Sequence, residues 1–513
     1  MPRPDPSVLC FRSSRAKSRD VRGTARQRVS TLRDANVTRS GLGLVLAASL
    51  AGCSFAPPYH SPQIAAPPAY KEAGVVTAAG WTRAQPQDAA RGAWWQQFDD
   101  PVLADLEARV ERASPDLAAA LARYDAARAA VRVAAADALP QVSANASAER
   151  ERESATRPLS TGSAATFNNY TVGGSASWDL DLWGRVRNEV AARRAEAQAS
   201  AADLANVRLS LQSELADAYY RVRGLDAQKQ LLDRTVQAYQ RAVDLTVTRH
   251  NGGVSNGLDV SRAQNILSDA RAQISDVLNQ RAAAEHEVAA VIGEPASSFT
   301  LAPVQGLVSP PLLPVSLPSE LLQRRPDIAE AERRIFAANA RIGVAKAAFF
   351  PDISLGAAGG FDATHGSLLS NPATFWALGP AQALLTIFDG GRRAAQLKIS
   401  RADYDEAAAN YRSTVLGAFR DVEDQLAAAR LLAQESVDER DAATAAQRTE
   451  DLAMERYRDG ASDYLDVVTA QTAALSAERT ALALGTRRLQ TAVALVRALG
   501  GDFQPMQTAT ATR

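Results

Sequence analysis

The chain has 513 residues, 57 Lys and Arg balanced by 57 Asp and Glu, and 46% apolar residues. That balance leaves no basic footprint for nucleic acid, two cysteines cannot build a disulfide scaffold, and the length exceeds one small domain. The four histidines, His60, His250, His286 and His365, make no metal-ligand pair at helical spacing, and no phosphate-binding glycine loop occurs.

Residues 1–52 read as a leader. Its end, residues 41 to 53, is a short uncharged apolar run that closes on small residues and Cys53. Such a run is a signal-peptide core and is too short to span a bilayer. Leu50-Ala51-Gly52-Cys53 resembles the lipobox of bacterial lipoproteins, which implies that Cys53 is acylated and becomes the first mature residue. Removing the leader leaves 47 Lys/Arg against 54 Asp/Glu, a formal charge of −7. Covalent lipid on Cys53 is the sole prosthetic group expected, and no other cofactor or metal is.

Residues 53–100 form an N-terminal segment, and a helix is expected over roughly 101 to 138. From Pro140 to Gly184 a period of two replaces the helical one. Val142, Ala144, Ala146 and Ala148 alternate with Ser143, Asn145, Ser147 and Glu149; Ala176, Trp178, Leu180 and Leu182 alternate with Ser175, Ser177, Asp179 and Asp181. The pattern predicts a hairpin over 141–183 with one apolar and one polar face. Residues 185–250 then run without proline, with Gly224 the one glycine between Val186 and Arg249, as a helix roughly 100 Å long. The turn Asn251-Gly252-Gly253 leads to a returning helix over 258–292, with Ser255 or Asn256 as N-cap.

After a proline-rich linker, 294–320, the order repeats across 321–501: a short helix at 327 to 349, a hairpin over 353–389, a long helix over 391–458 interrupted by Gly417 alone, and a returning helix over 464–499. Residues 502–513 are a tail. Leu258-Asp259-Val260 and Leu465-Asp466-Val467 lie 207 residues apart; Leu139-Pro140 and Phe350-Pro351 lie 211 apart, so the hairpin region absorbs the difference. Two large copies are too few for a solenoid.

Strands of about 9 to 11 residues with one apolar face suit a membrane, and Trp178, Trp183, Phe361, Phe375 and Trp376 could supply interfacial aromatics. Four strands leave two edges that lipid does not tolerate, so a chain whose strands span a membrane must oligomerise; two copies give an eight-stranded barrel that side chains fill, and three give twelve strands and a lumen.

From Cys53 through Trp94-Trp95-Gln96-Gln97-Phe98 to Leu499-Gly500-Gly501, the mature chain resembles TolC-type outer membrane efflux proteins, in particular the lipidated OprM/NodT-type subunits of tripartite pumps. Arg325-Pro326-Asp327, Phe388-Asp389-Gly390-Gly391-Arg392, and Tyr457-Arg458-Asp459-Gly460 before Tyr464-Leu465-Asp466 carry that resemblance. It implies an α+β membrane protein: a homotrimer forming a twelve-stranded β-barrel in outer membrane lipid, continued by a long α-helical barrel in the periplasm. Its implied partners are a periplasmic adaptor and an inner-membrane pump, and its implied role is the exit duct for small molecules. A duct for type I protein secretion and a periplasmic coiled-coil scaffold are the alternatives.

In that family the returning helices narrow the periplasmic tip with leucine and aspartate rings. The resemblance makes Leu465 and Asp466 gate candidates, with Asp259 the first-repeat equivalent and Thr469 standing where the family often has another aspartate. The bland alternative is that both aspartates only favour helix N-termini. Gly253-Val254-Ser255-Asn256-Gly257 matches the hydrolase Gly-x-Ser-x-Gly pattern but lies between two helices, the wrong context for a nucleophile.

Overall fold

The computed structural model describes residues 54–62, 64–72, 93–156, 162–304, 306, 308–311, 324–364 and 371–501. The leader, Cys53 and the C-terminal tail lie outside the described residues.

The alternating segments form one antiparallel sheet. Its strands are β1 (Gln141–Glu153), β2 (Ala165–Asp179), β3 (Asp352–Ala363), and a fourth line divided into β4 (Phe375–Leu378) and β5 (Ala381–Leu384). β1 pairs with β2, β2 with β3, and β3 with both β4 and β5, so the two hairpins of the duplication lie side by side. Through the register, Ala144, Ala146, Ala148, Tyr170, Val172, Trp178, Leu355, Ala357, Phe361 and Phe375 share one apolar face. The other carries Ser143, Asn145, Ser147, Ser175 and Ser177.

Three sequence expectations change here. The second hairpin, expected to reach residue 389, has a fourth strand that breaks and stops short: Pro380 has no N–H to give the ladder, its carbonyl accepts from Gly356 N at 2.7 Å, and pairing ends at Leu384. β2 stops at Asp179 because the next turn is organised by Asp181, which accepts from Val186 N (3.0 Å) and Arg187 N (2.9 Å) to cap the following helix. Two of the five aromatics leave the lipid face. Trp376 pairs with Gly360 on the polar face, and Trp183 is off the sheet, stacked 5.0 Å from Phe350 with its indole donating to Pro351 O.

Among the described residues seven α-helices accompany the sheet: α1 (Pro101–Ala113), α2 (Pro115–Ala136), α3 (Arg185–Asn251), α4 (Gly257–Val291), α5 (Pro326–Ala347), α6 (Arg392–Arg458) and α7 (Tyr464–Ala498). The single helix expected over 101 to 138 is two, because Ser114 is driven to an extended conformation (ψ 121°) by the proline after it. Near the sheet, α2, α3, α5 and α6 lie side by side; farther away, α3 pairs with α4, α6 pairs with α7, and α3 contacts α7. Both 67-residue helices leave the sheet through a left-handed glycine, Gly184 (φ 75°) and Gly391 (φ 89°), and an aspartate-capped turn; Asp389 does for Arg393 what Asp181 does for Arg187.

The larger core sits midway along α3. Trp94 and Phe98 of a 3₁₀ turn (Trp94–Phe98), Leu103 and Leu106 of α1, Tyr219 and Tyr220 of α3, Val288 and Ile292, and Phe299 and Leu301 of the linker share it. An ionic network pins that linker. Arg281 donates to Asp226 Oδ1 (2.6 Å), Glu285 Oε2 (2.8 Å) and Leu301 O (2.7 Å), while Arg223 donates to Ala302 O (2.8 Å). Arg223 and Asp226 are buried, so removing one partner would leave a desolvated charge, a cost of about 3 to 5 kcal/mol.

The N-terminal segment starts at the base of the sheet and runs along the helices. Ser54 Oγ donates to Asn188 Oδ1 (2.8 Å), Phe55 stacks on Phe350 at 4.5 Å, Tyr59 OH donates to Glu332 Oε1 (2.6 Å), and Arg430 donates to Glu72 Oε2 (2.6 Å).

Candidate pore and periplasmic tip

At the end remote from the sheet, the α3–α4 and α6–α7 turns meet around a second core of Tyr239, Val243, Leu267, Tyr457, Tyr464 and Val467. The contact is directional. Arg249, near the end of α3, donates to Tyr457 O (2.5 Å) and Arg458 O (3.2 Å), the last carbonyls of α6, and its guanidinium lies 4.6 Å over the Tyr457 ring. Tyr457 meets Tyr464 edge-on at 5.2 Å. Burial, with Tyr457 and Asp259 nearby, pushes the Tyr464 hydroxyl above the usual phenol range. A cation on terminal carbonyls satisfies acceptors the helix cannot and complements its dipole. Here the cation comes from the other repeat, so one side chain ties the two hairpins together.

The gate candidates take up different positions. Leu465 is 49% exposed and Asp466 is exposed, in the first turn of α7. No hydrogen bond or ion pair is formed by the Asp466 carboxylate among the described residues. Asp259 is occupied locally: its carboxylate accepts from Ser255 Oγ (3.1 Å) and lies 3.8 Å from Arg262, while its backbone N–H donates to Asn256 Oδ1 (2.9 Å), the N-cap of α4. Thr469 spends its hydroxyl on Leu465 O at 2.9 Å. So the two aspartates, equivalent by duplication, are not equivalent in setting.

The Gly-x-Ser-x-Gly stretch brings Ser255, His250 and Asp259 together without the connectivity of a triad. The serine hydroxyl donates to the aspartate, and the imidazole Nδ1 lies 2.8 Å from Ser255 O, a main-chain atom.

Sequence reasoning missed Arg249 and Tyr464. The Tyr457-Arg458-Asp459-Gly460 motif gave a signal for the turn, but nothing in the order of residues joins Arg249 to a carbonyl 208 positions away.

No helix among the described residues is long and apolar enough to cross a membrane. The sheet has an apolar face, two unpaired edges in β1 and β4/β5, and helices in the same order beneath it. Comparison with known proteins then decides the matter: the profile described as outer membrane efflux protein matches residues 108–294 and again 317–501, one match for each repeat.

The chain belongs to the outer membrane efflux protein family.

It is 33% identical over 471 residues to the antibiotic efflux pump outer membrane protein ArpC of Pseudomonas putida, covering 91% of this chain and 96% of that one. It is 31% identical to the cation efflux system protein CusC of Escherichia coli, covering 90% and 98%. Superposition on the outer-membrane channel OprN gives a TM-score of 0.80 at 31% identity, covering 88% of this chain and all of that one. The fold class is accordingly that of the TolC-type channels: a trimeric β-barrel in the outer membrane, to which each chain gives four strands, continued by a helical barrel in the periplasm.

Proposed function

We propose that three copies of this chain form the exit duct of a tripartite efflux system, receiving small molecules from an inner-membrane pump through a periplasmic adaptor. The observation that carries the reading is the pair of open edges. β1 and β4/β5 present unpaired backbone groups, which hydrocarbon does not tolerate, and α2 and α6 beneath them expose Leu121, Ile399, Leu416 and Leu431. Closure by further copies satisfies both at once. The polar face of serines and asparagine then lines the lumen. The chain performs no bond-making step, and the energy for transport comes from the pump.

The tip is the point of control in this reading. Leu465 supplies an apolar constriction and Asp466 a free carboxylate; three such carboxylates about one axis attract cations and repel one another. Thr469, with its hydroxyl turned back on the helix, adds no charge. Asp259 acts as a helix-terminal group. Lipid on Cys53 fits the course of the next two residues, since Ser54 and Phe55 dock beside Trp183 and Phe350 at the sheet's base, where a membrane surface would lie.

Conductance of the purified trimer in a planar bilayer tests the gate. Small steps in the wild type that grow severalfold in Asp466→Ala are expected; silence in both, with intact trimer present, would overturn the duct. For the anchor, metabolic labelling with palmitate should mark the wild type and leave Cys53→Ala unmarked. Equal labelling of both would refute lipidation at that residue.

A further inference from the structure

The end of β1 reads Glu149-Arg150-Glu151-Arg152-Glu153, five charges in a row. On a helix such a run would be a solvated, self-paired face. On a strand the pleat separates the signs. Arg150 and Arg152 continue the face of Ala144, Ala146 and Ala148, which is the apolar one; Glu149, Glu151 and Glu153 continue the face of Ser143, Asn145 and Ser147, which is the polar one.

The sheet's own side chains set the depth. At the helical end Trp178 lies opposite Leu355, and its indole donates to Ala138 O at 3.0 Å. At the other end Tyr170 lies opposite Ala148, while Phe361 and Phe375 meet edge-on at 5.7 Å one step below. Eight residues of strand separate Trp178 from Tyr170, about 27 Å along the strand and roughly 21 Å along the membrane normal at the tilt of a barrel strand. That approximates the apolar band of an outer membrane barrel, about 25 Å tall between aromatic girdles. Arg150 lies one side-chain step, about 7 Å of strand, beyond the Tyr170 level, and Arg152 lies one step farther. Both therefore stand on the lipid side at the depth of the outer-leaflet headgroups. Their cross-strand neighbours are Asn168 and Thr166, also exposed and polar. No carboxylate shares that face of the β1–β2 hairpin above Tyr170, and neither arginine forms a hydrogen bond or ion pair among the described residues.

We propose that Arg150 and Arg152, flanked by Asn168 and Thr166, form a site on the outer wall of the barrel for the phosphate groups of an outer-leaflet glycolipid. Arginine suits the task because its planar fork matches a phosphate with two parallel hydrogen bonds and stays charged. The trimer carries three such sites, and the carboxylates at the same level face the lumen, where they do not compete.

The test uses the full-length trimer in detergent, with bis-phosphorylated lipid A as probe and a phosphate-free glycolipid of the same acyl composition as control, bound lipid being counted by native mass spectrometry. The wild type should retain the phosphorylated lipid and not the control. Arg150→Ala/Arg152→Ala should lose about 30-fold in affinity, as expected for two surface cations. Arg150→Lys/Arg152→Lys should fall between, and Glu149→Gln/Glu151→Gln, on the lumen face, should match the wild type. Undiminished retention by a heat-dissociable trimer of the alanine variant overturns the proposal; if that variant does not assemble, wild-type affinity in the lysine variant overturns it instead. Displacement of the lipid by inorganic phosphate at equal phosphate concentration would make the strip a free-anion site and reject the lipid.

Discussion

Glu107 on α1 is fully buried, and neither carboxylate oxygen has a hydrogen-bond partner among the described residues. Burial, reinforced by Glu111, holds its pKa well above the usual carboxylate value. The sign follows. A carboxyl whose folded pKa is raised costs nothing below its unfolded pKa of 4.5, and stability is lost as pH rises from there through the folded value. Glu107→Gln removes that loss. Its trimer dissociation temperature should match the wild type near about pH 4 and exceed it by a margin that widens towards about pH 8; parallel curves would show that Glu107 does not titrate in this range. At this scale sequence reading was weakest. Asp466 and Leu465 entered as gate candidates through the family resemblance, whereas Arg249 and Glu107 matter through neighbours hundreds of residues away or through burial, which no local pattern reveals.

Among the elements, α3 shows why a 67-residue helix tolerates one glycine. A Cβ on Gly224 would come within 2.3 Å of Thr486 Oγ1 and 3.1 Å of Thr486 Cβ, so α3 and α7 approach there more closely than any other residue permits. Gly417 on α6 meets nothing within 4 Å in the single chain. Gly224→Ala should therefore destabilise the packing of the two hairpins by about 1 to 3 kcal/mol despite its better helix propensity, while Gly224→Ala/Thr486→Ala should recover most of the loss. A thermal double-mutant cycle reads this directly, and a cycle with no coupling would place the glycine's role elsewhere. Element types were legible because the periods of 3.6 and 2 do not overlap over such long segments. Two of the misreadings fell at prolines. Ser114 before Pro115 and the Gly379-Pro380 break in the fourth strand are local backbone effects, which hydrophobic pattern alone runs straight through.

At the scale of the molecule, burial is lopsided. Buried residues run along most of α3, whereas α6, of equal length, has one buried stripe through Tyr411, Val415, Ala418, Val422 and Leu426 and leaves Leu416 and Leu431 more than half exposed. An isolated helix has no reason to carry that second apolar stripe. It belongs to an edge, below the open edge of β4/β5, and the exposed apolar side chains of α2, Leu121 and Val133, belong to the opposite edge below β1. Burying each leucine against the next copy would stabilise the assembly by about 1.5 to 3 kcal/mol, repeated around the ring. Leu416→Asp/Leu431→Asp should consequently abolish the heat-dissociable trimer on a gel while leaving the helical circular dichroism of the chain intact, because neither residue belongs to the buried stripe. Val415→Ala, which cuts into that stripe, should instead lower the stability of the chain itself, by about 1 to 3 kcal/mol. A trimer that survives both aspartates would mean that this stripe faces water in the assembled channel and that the barrel closes through its strands alone.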